Sequence, residues 1–392
     1  MSQNPINLNK PRLAGPATLL VLLLAAYLVS RAVILLLVTL RPSVEATTGQ
    51  FVHLRQLDAL LGYAGLMAVA LVGRMERTRY GQAASRFDLP TTLALTLAVV
   101  GAGLSLLWPD TQGRATVDVI VAGAVALAGG LVAMSLFADL AKRRGLTVMG
   151  LWQFLLAQWV LAWVGAEVVL RWRLRDEGGV AAHDYARSLV FWLPVFGVLL
   201  NAVLMGLTRL TAVATPARMR ERGVIVAIIV LNLGAVLSVV GERWLKITGG
   251  TLLLVGGLLL WASIGARPWP ALLTVAVAAG LLLIERGLLV PAAAYQAAVR
   301  HVLSAGVVLA AIVVVTQWAD GQLGTALSRA RFVRIASMVL LISLLAVVTL
   351  HTLTLLGGPW RGLLLVAAMV EAVVFVALGA VGLRAVLVLA RR

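Results

Sequence analysis

The sequence predicts an all-α, polytopic membrane protein of about twelve transmembrane helices, on three observations. The 392 residues are 61% hydrophobic and only 12% charged, about half the charge of an ordinary soluble domain. Apolar stretches near 20 residues recur along the chain, each long enough for a helix at about 1.5 Å per residue to cross about 30 Å of hydrocarbon. The connections between them are short, so residues 1–392 read as a single transmembrane domain. Helices are required because lipid satisfies no backbone N–H or C=O group.

In order, the spans fall at 14–40, 54–74, 90–108, 116–140, 147–171, 187–209, 222–241, 246–266, 270–291, 297–318, 332–355 and 360–388. The first has an apolar run longer than a signal-peptide core and no small-residue cleavage site after it, which predicts a retained helix. An even number of spans puts both termini on one side. That side carries 19 basic residues against five acidic ones, Glu76, Asp88, Asp139, Glu221 and Asp320. The other side carries 12 basic and 10 acidic residues. Excess Lys and Arg mark the cytoplasmic side, so both termini are expected in the cytoplasm and the 171–187 loop outside it, in a bacterial inner (plasma) membrane. The runs "GRMERTRYGQ", "AKRRG" and "ARMRERG" are topology determinants on this reading. The net charge of +17 is likewise assigned to topology in the lipid bilayer, with no nucleic acid as partner.

Three stretches resemble one another: "HLRQLDALLGYAGLMAVALVGRM" from His53, "YARSLVFWLPVFGVLLNAVLMGLTRL" from Tyr185 and "YQAAVRHVLSAGVVLAAIVVV" from Tyr295. They open the second, sixth and tenth spans, a spacing of three pseudo-repeats of four helices.

Chemistry has few candidate carriers. No cysteine occurs, which excludes disulfides, thiolate metal sites and cysteine nucleophiles. Walker A, dinucleotide, zincin and GxSxG signatures are missing, and no catalytic reaction is named by the residues. The four histidines, His53, His183, His301 and His351, all fall at the outer ends of spans or in the loops beside them. Neutral imidazole ligates transition metals and haem iron. Ionisable residues within spans are costly and mark function by default: Arg31, Asp58, Glu167, Glu285, Arg286 and Glu371. Structural pairing is the plainer reading of each, and as a group they are expected to face one cavity. Trp360 and Arg361, in "LLGGPWRGLL", read as an interfacial anchor or as an arginine offered to an anion.

Helix number and repeat spacing resemble the haem-copper oxidase subunit I superfamily, and within it the NnrS family of membrane proteins linked to nitric oxide metabolism. The resemblance rests on "VRHVLSAGVVLAAIVVVTQ" at 299–317, "SRARFVRIASMVLLISLLAVV" after it and "FGVLLNAVLMGLTRL" at 196–210. It implies a haem b between histidines at the outer ends of the second and tenth spans, where His53 and His301 stand. Arg361 would then face a propionate and Arg31 the ring edge, with His183 and His351 left for copper and a membrane redox partner outside the chain. The departures imply that no complete oxidase site exists: the seventh span has no histidine, His183 lies just outside the sixth, and position 299 is Val299. Two other readings of the same residues are a secondary transporter with a midplane site and a non-catalytic scaffold subunit.

Overall fold

A computed structural model describes residues 19–30, 33, 48–79, 85–107, 111–142, 147–173, 193–205, 218–240, 243–264, 307–308, 311–312, 331–355 and 359–390. All regular structure among them is helical. In chain order the helices are α1 (Leu19–Ser30), α2 (Thr48–Arg79), α3 (Asp88–Leu107), α4 (Thr111–Ala141), α5 (Val148–Arg173), α6 (193–205), α7 (Arg218–Val240), α8 (Arg243–Ile264), α9 (Arg331–Leu355) and α10 (Arg361–Ala390). They coincide with the first to eighth, eleventh and twelfth predicted spans. The ninth span lies outside the described residues, and only 307–308 and 311–312 are described in the tenth.

Three of these helices are long and apolar enough to cross a membrane: Thr116–Ala141, Met149–Val169 and Arg361–Arg384. Their neighbours carry shorter apolar cores, such as Ala59–Arg74 and Asp88–Leu104. The outer faces are apolar as well. On α3, Leu89, Leu93 and Leu97 recur every fourth residue and each is more than half exposed, while Leu95, Ala98 and Ala102 on the opposite face are buried. Exposed apolar side chains also cover the outer faces of α4, α7 and α10, a surface that suits lipid and not water.

Neighbouring helices pack as chain-adjacent pairs, α3 on α4, α4 on α5, α7 on α8 and α9 on α10, with α2 laid against α6. The α7–α8 pair approaches closely at Gly234, where an added Cβ would lie 2.8 Å from the Gly249 carbonyl oxygen and the Leu253 nitrogen. Only a residue without a side chain fits there, as at close helix contacts in membranes. Gly382 of α10 faces Val21 of α1, so the first described helix lies against the last.

Local signals set the helix starts. Ser85 and Asp88, in "SRFD", form a capping box: the Ser85 hydroxyl accepts from the Phe87 N–H, and the Asp88 carboxylate accepts from the Ser85 N–H at 3.2 Å. Thr147 caps α5 by accepting from the Gly150 N–H at 3.0 Å. In α6, Leu193–Leu200 is π-helical. Pro194, which has no N–H to donate, stands at its start, a common origin of irregular helix geometry.

Candidate functional site

Among the described residues, two groups of charged side chains are joined by short ion pairs. At one end, Arg77 of α2 donates from Nη1 to Asp139 Oδ2 of α4 at 2.9 Å and from Nη2 to Asp88 Oδ1 of α3 at 3.0 Å. Ser135 of α4 accepts a third bond from Nη1 at 3.0 Å. This guanidinium ties the end of α2 to the start of α3 and the end of α4. It stands among residues the sequence assigned to topology, and it also has a structural task.

The second cluster lies toward the opposite end and is deeper. Arg171, on the last turn of α5, donates from Nε to Glu167 Oε1 at 2.7 Å, one turn back on the same helix. Its Nη1 donates to Asp118 Oδ1 of α4 at 2.7 Å, and its Nη2 to Tyr63 Oη of α2 at 3.0 Å. Side-chain exposure is 2% for Arg171 and 0% for Glu167, against 21% for Asp118, so Asp118 is the open edge of the group. One cation thus meets two carboxylates. The Glu167 Oε2 atom is buried with no hydrogen-bond partner among the described residues.

Packing holds this group in place. The Tyr63 ring meets Trp163 of α5 edge-on, with centroids 6.2 Å apart. Gly62 lies directly under the Trp163 ring, where any Cβ would collide with it. Nearer the middle of α5, Trp159 Nε1 donates to Asn232 Oδ1 of α7 at 2.7 Å, and Asn232 Nδ2 donates to Asn201 Oδ1 of α6 at 3.1 Å. Asn201 in turn donates to the Gly197 carbonyl in the π-helical segment at 2.9 Å. A polar thread therefore joins α5, α7 and α6 through an apolar interior, and π-helical turns often accompany functional sites.

Of the residues singled out in sequence, Glu167 stands at the centre of the deep cluster, paired with an arginine as the plainer reading had it. Glu371 is fully buried on α10. Arg361 is exposed on the first turn of α10 beside Trp360, itself 40% exposed. His53 and Asp58 lie on α2 and His351 on α9, but their side chains fall outside the described residues, as do Arg31, His183, Glu285, Arg286 and His301 altogether. The expected cavity of Asp58, Glu285 and Glu371 therefore rests on residues beyond this description. Among the described residues no three metal-ligating side chains come together.

Sequence reasoning missed Arg171, Asp118 and Tyr63. One signal was present: an acid four residues before an arginine, Glu167 and Arg171, shares a helix face. The chain matches no protein-family model, no curated protein and no solved structure.

Proposed function

We propose that the chain is a twelve-span protein of the bacterial inner membrane, with both termini cytoplasmic, that works as a secondary transporter of a small polar solute. The observation that carries this reading is the Arg171–Glu167–Asp118–Tyr63 cluster, an ionised group held inside a bundle whose outer faces are apolar. Ionisable groups at such depth line substrate and ion pathways in membrane proteins. The Trp159–Asn232–Asn201 thread near the middle of α5 supplies further neutral donors and acceptors beside the π-helical turns of α6, and such turns often accompany functional sites.

The absence of native cysteine makes the test direct. Val160 is fully buried on α5 between the two polar groups. In a transporter with alternating access, a Val160→Cys variant is labelled by a membrane-impermeant maleimide from either face, in right-side-out and inverted vesicles. Protection from both faces would overturn the reading in favour of a static scaffold subunit.

A second reading rests on the histidines. His53 stands on α2, five residues from the helix start, and His301 holds the matching place in the tenth predicted span of a chain divided into three groups of four. On this reading the protein is an NnrS-like haem b protein, linked to nitric oxide or respiratory metabolism, with His183 and His351 as copper ligands. Of the residues it needs, only the Arg361 side chain is described, and its exposure at the start of α10 suits a carboxylate at the bundle edge. Purified protein that shows no Soret band, as isolated or after incubation with haemin, removes this reading.

A further inference from the structure

The two faces of α5 differ in kind. One packs inside the bundle and carries Trp159, Trp163, Glu167 and Arg171. On the other, Phe154, Gln158, Leu161 and Gly165 follow one another at intervals of four, three and four residues, and all four are exposed. Phe154 and Leu161 suit lipid; Gln158 does not. It is the tenth of the 21 residues of the Met149–Val169 span, so its amide stands near the middle of the hydrocarbon layer, about 15 Å from either surface.

Exposed hydroxyls elsewhere in the bundle are satisfied by their own helices. Thr96 donates to the Thr92 carbonyl at 2.8 Å, Thr251 to the Ile247 carbonyl at 2.9 Å and Ser263 to the Leu259 carbonyl at 2.7 Å. Gln158 makes no hydrogen bond to any described residue. Its amide has two donors and an acceptor, and hydrocarbon offers none of them a partner. Gly165, two turns along the same face, is unexplained by the chain's own packing: a Cβ added there would meet nothing within 4 Å. Glycine in mid-helix is less stable than alanine, but at a membrane interface it lets a second helix approach closely while polar side chains bond across the contact.

Depth and chemistry select the occupant of this face. It must bring a hydrogen-bonding group to the middle of the membrane, opposite Gln158. A second copy of this chain does so by symmetry. Inserted with the same topology, its α5 runs parallel and sets Gln158 of the partner subunit at the same depth. A two-fold contact is self-complementary, and an amide that both donates and accepts pairs with its own image. The spacing of four, three and four residues is that of a left-handed helix pair, in which one polar residue on the seam fixes register and the number of partners. We propose that the Phe154–Gln158–Leu161–Gly165 face of α5 is a homodimer interface, held by reciprocal hydrogen bonds between the Gln158 amides of the two copies. The helix that holds the Arg171 cluster on its inner side thereby carries the partner on its outer side. This interface is independent of the transport reading.

Disulfide trapping tests the interface in the full chain, because no native cysteine interferes. Leu161→Cys lies one turn from Gln158 on the proposed seam. Leu97→Cys, on the exposed apolar face of α3, is the control. Each variant is oxidised with copper phenanthroline in native membranes, and dimer is read on a non-reducing gel. A parallel α5 pair brings the two copies of position 161 within reach of a disulfide, about 5.5–6 Å between Cα atoms, so Leu161→Cys should form dimer several-fold faster than Leu97→Cys. Adding Gln158→Leu should cut that rate several-fold, and adding Gly165→Leu, which holds the helices apart, should do the same. Leu161→Cys that stays monomeric overturns the interface and assigns the face to lipid or to another span of the same chain. Equal rates at positions 161 and 97 mean random collision and overturn it as well. An unchanged rate on adding Gln158→Leu overturns the amide pairing, whatever Gly165→Leu does.

Discussion

Arg171 is held by three acceptors: one on its own helix, one on α4 and one on α2, at 2.7–3.0 Å. Removing it takes from Glu167 and Asp118 the cation they share. Losing one partner of a buried ion pair typically costs about 3–5 kcal/mol, and Arg171→Met should lower the thermal unfolding temperature in detergent by a wide margin. Arg171→Lys should rescue only part of it, because a single ammonium cannot serve three acceptors in the planar fan of a guanidinium. The double variant Arg171→Met/Glu167→Met should regain stability over Arg171→Met, since it removes the fully buried charge that was left unpaired. A double variant less stable than the single one would show that Glu167 has another cationic partner. At this scale the sequence was half legible. Glu167 stands out as an acid within an apolar helix, and Arg171 follows four residues later. Asp118 and Tyr63 are 53 and 108 residues away from Arg171, and no local pattern encodes which residues a bundle will bring to one guanidinium.

Between helices, polar contacts decide which elements hold together, because lipid tails are as apolar as the leucines they would replace. Asn232 bridges Trp159 on α5 and Asn201 on α6, so Asn232→Leu leaves an indole N–H and an amide oxygen without their partner in the interior. In membrane bundles such bonds average about 0.6 kcal/mol and reach about 1.7 kcal/mol, and a loss of about 1–2 kcal/mol is expected, read as a lower midpoint in denaturing detergent. An unchanged midpoint would mean that packing alone joins these three helices. Arg77→Gln acts on different elements. It should leave α5–α7 untouched and loosen the ends of α2, α3 and α4, measured as faster proteolysis in the 80–87 connection. The helices themselves were readable from apolar length: ten of the twelve predicted spans overlap described helices, with both ends within three residues for five of them, and three of the helices are long and apolar enough to cross a membrane. The π-helical start of α6 was not, since hydrophobic periodicity does not mark a π-helical turn. Asn201 and Asn232 also went unremarked, because a single amide in a Leu/Val/Ala helix has no signature until its partner across the interface is known.

For the whole molecule the question is which end faces the cytoplasm, and the ion pairs sharpen the charge argument. Arg77, Asp88 and Asp139 meet at one end of α2–α4, whereas Asp118, Glu167 and Arg171 meet toward the other. Both groups therefore respect the up-and-down order of the second to fifth spans that the charge count assumed, since one missed span would have set these residues at opposite ends. Setting the paired groups aside, the side of the termini goes from 19 to 18 basic residues and from five to three acidic ones. The other side goes from 12 to 11 basic and from 10 to eight acidic. The imbalance in Lys and Arg survives, and these residues, not net charge, orient a membrane protein. On the proposed topology the Arg77 end is cytoplasmic and the Glu167 end outward, with the Asp118 edge of the cluster open toward the outside. Alkaline phosphatase, active only outside the cytoplasm, decides the matter: a fusion after Arg392 should be inactive and one near Glu177 active. The reverse pattern would invert the bundle, turning the open edge of the cluster to the cytoplasm and the Arg77 end to the outside.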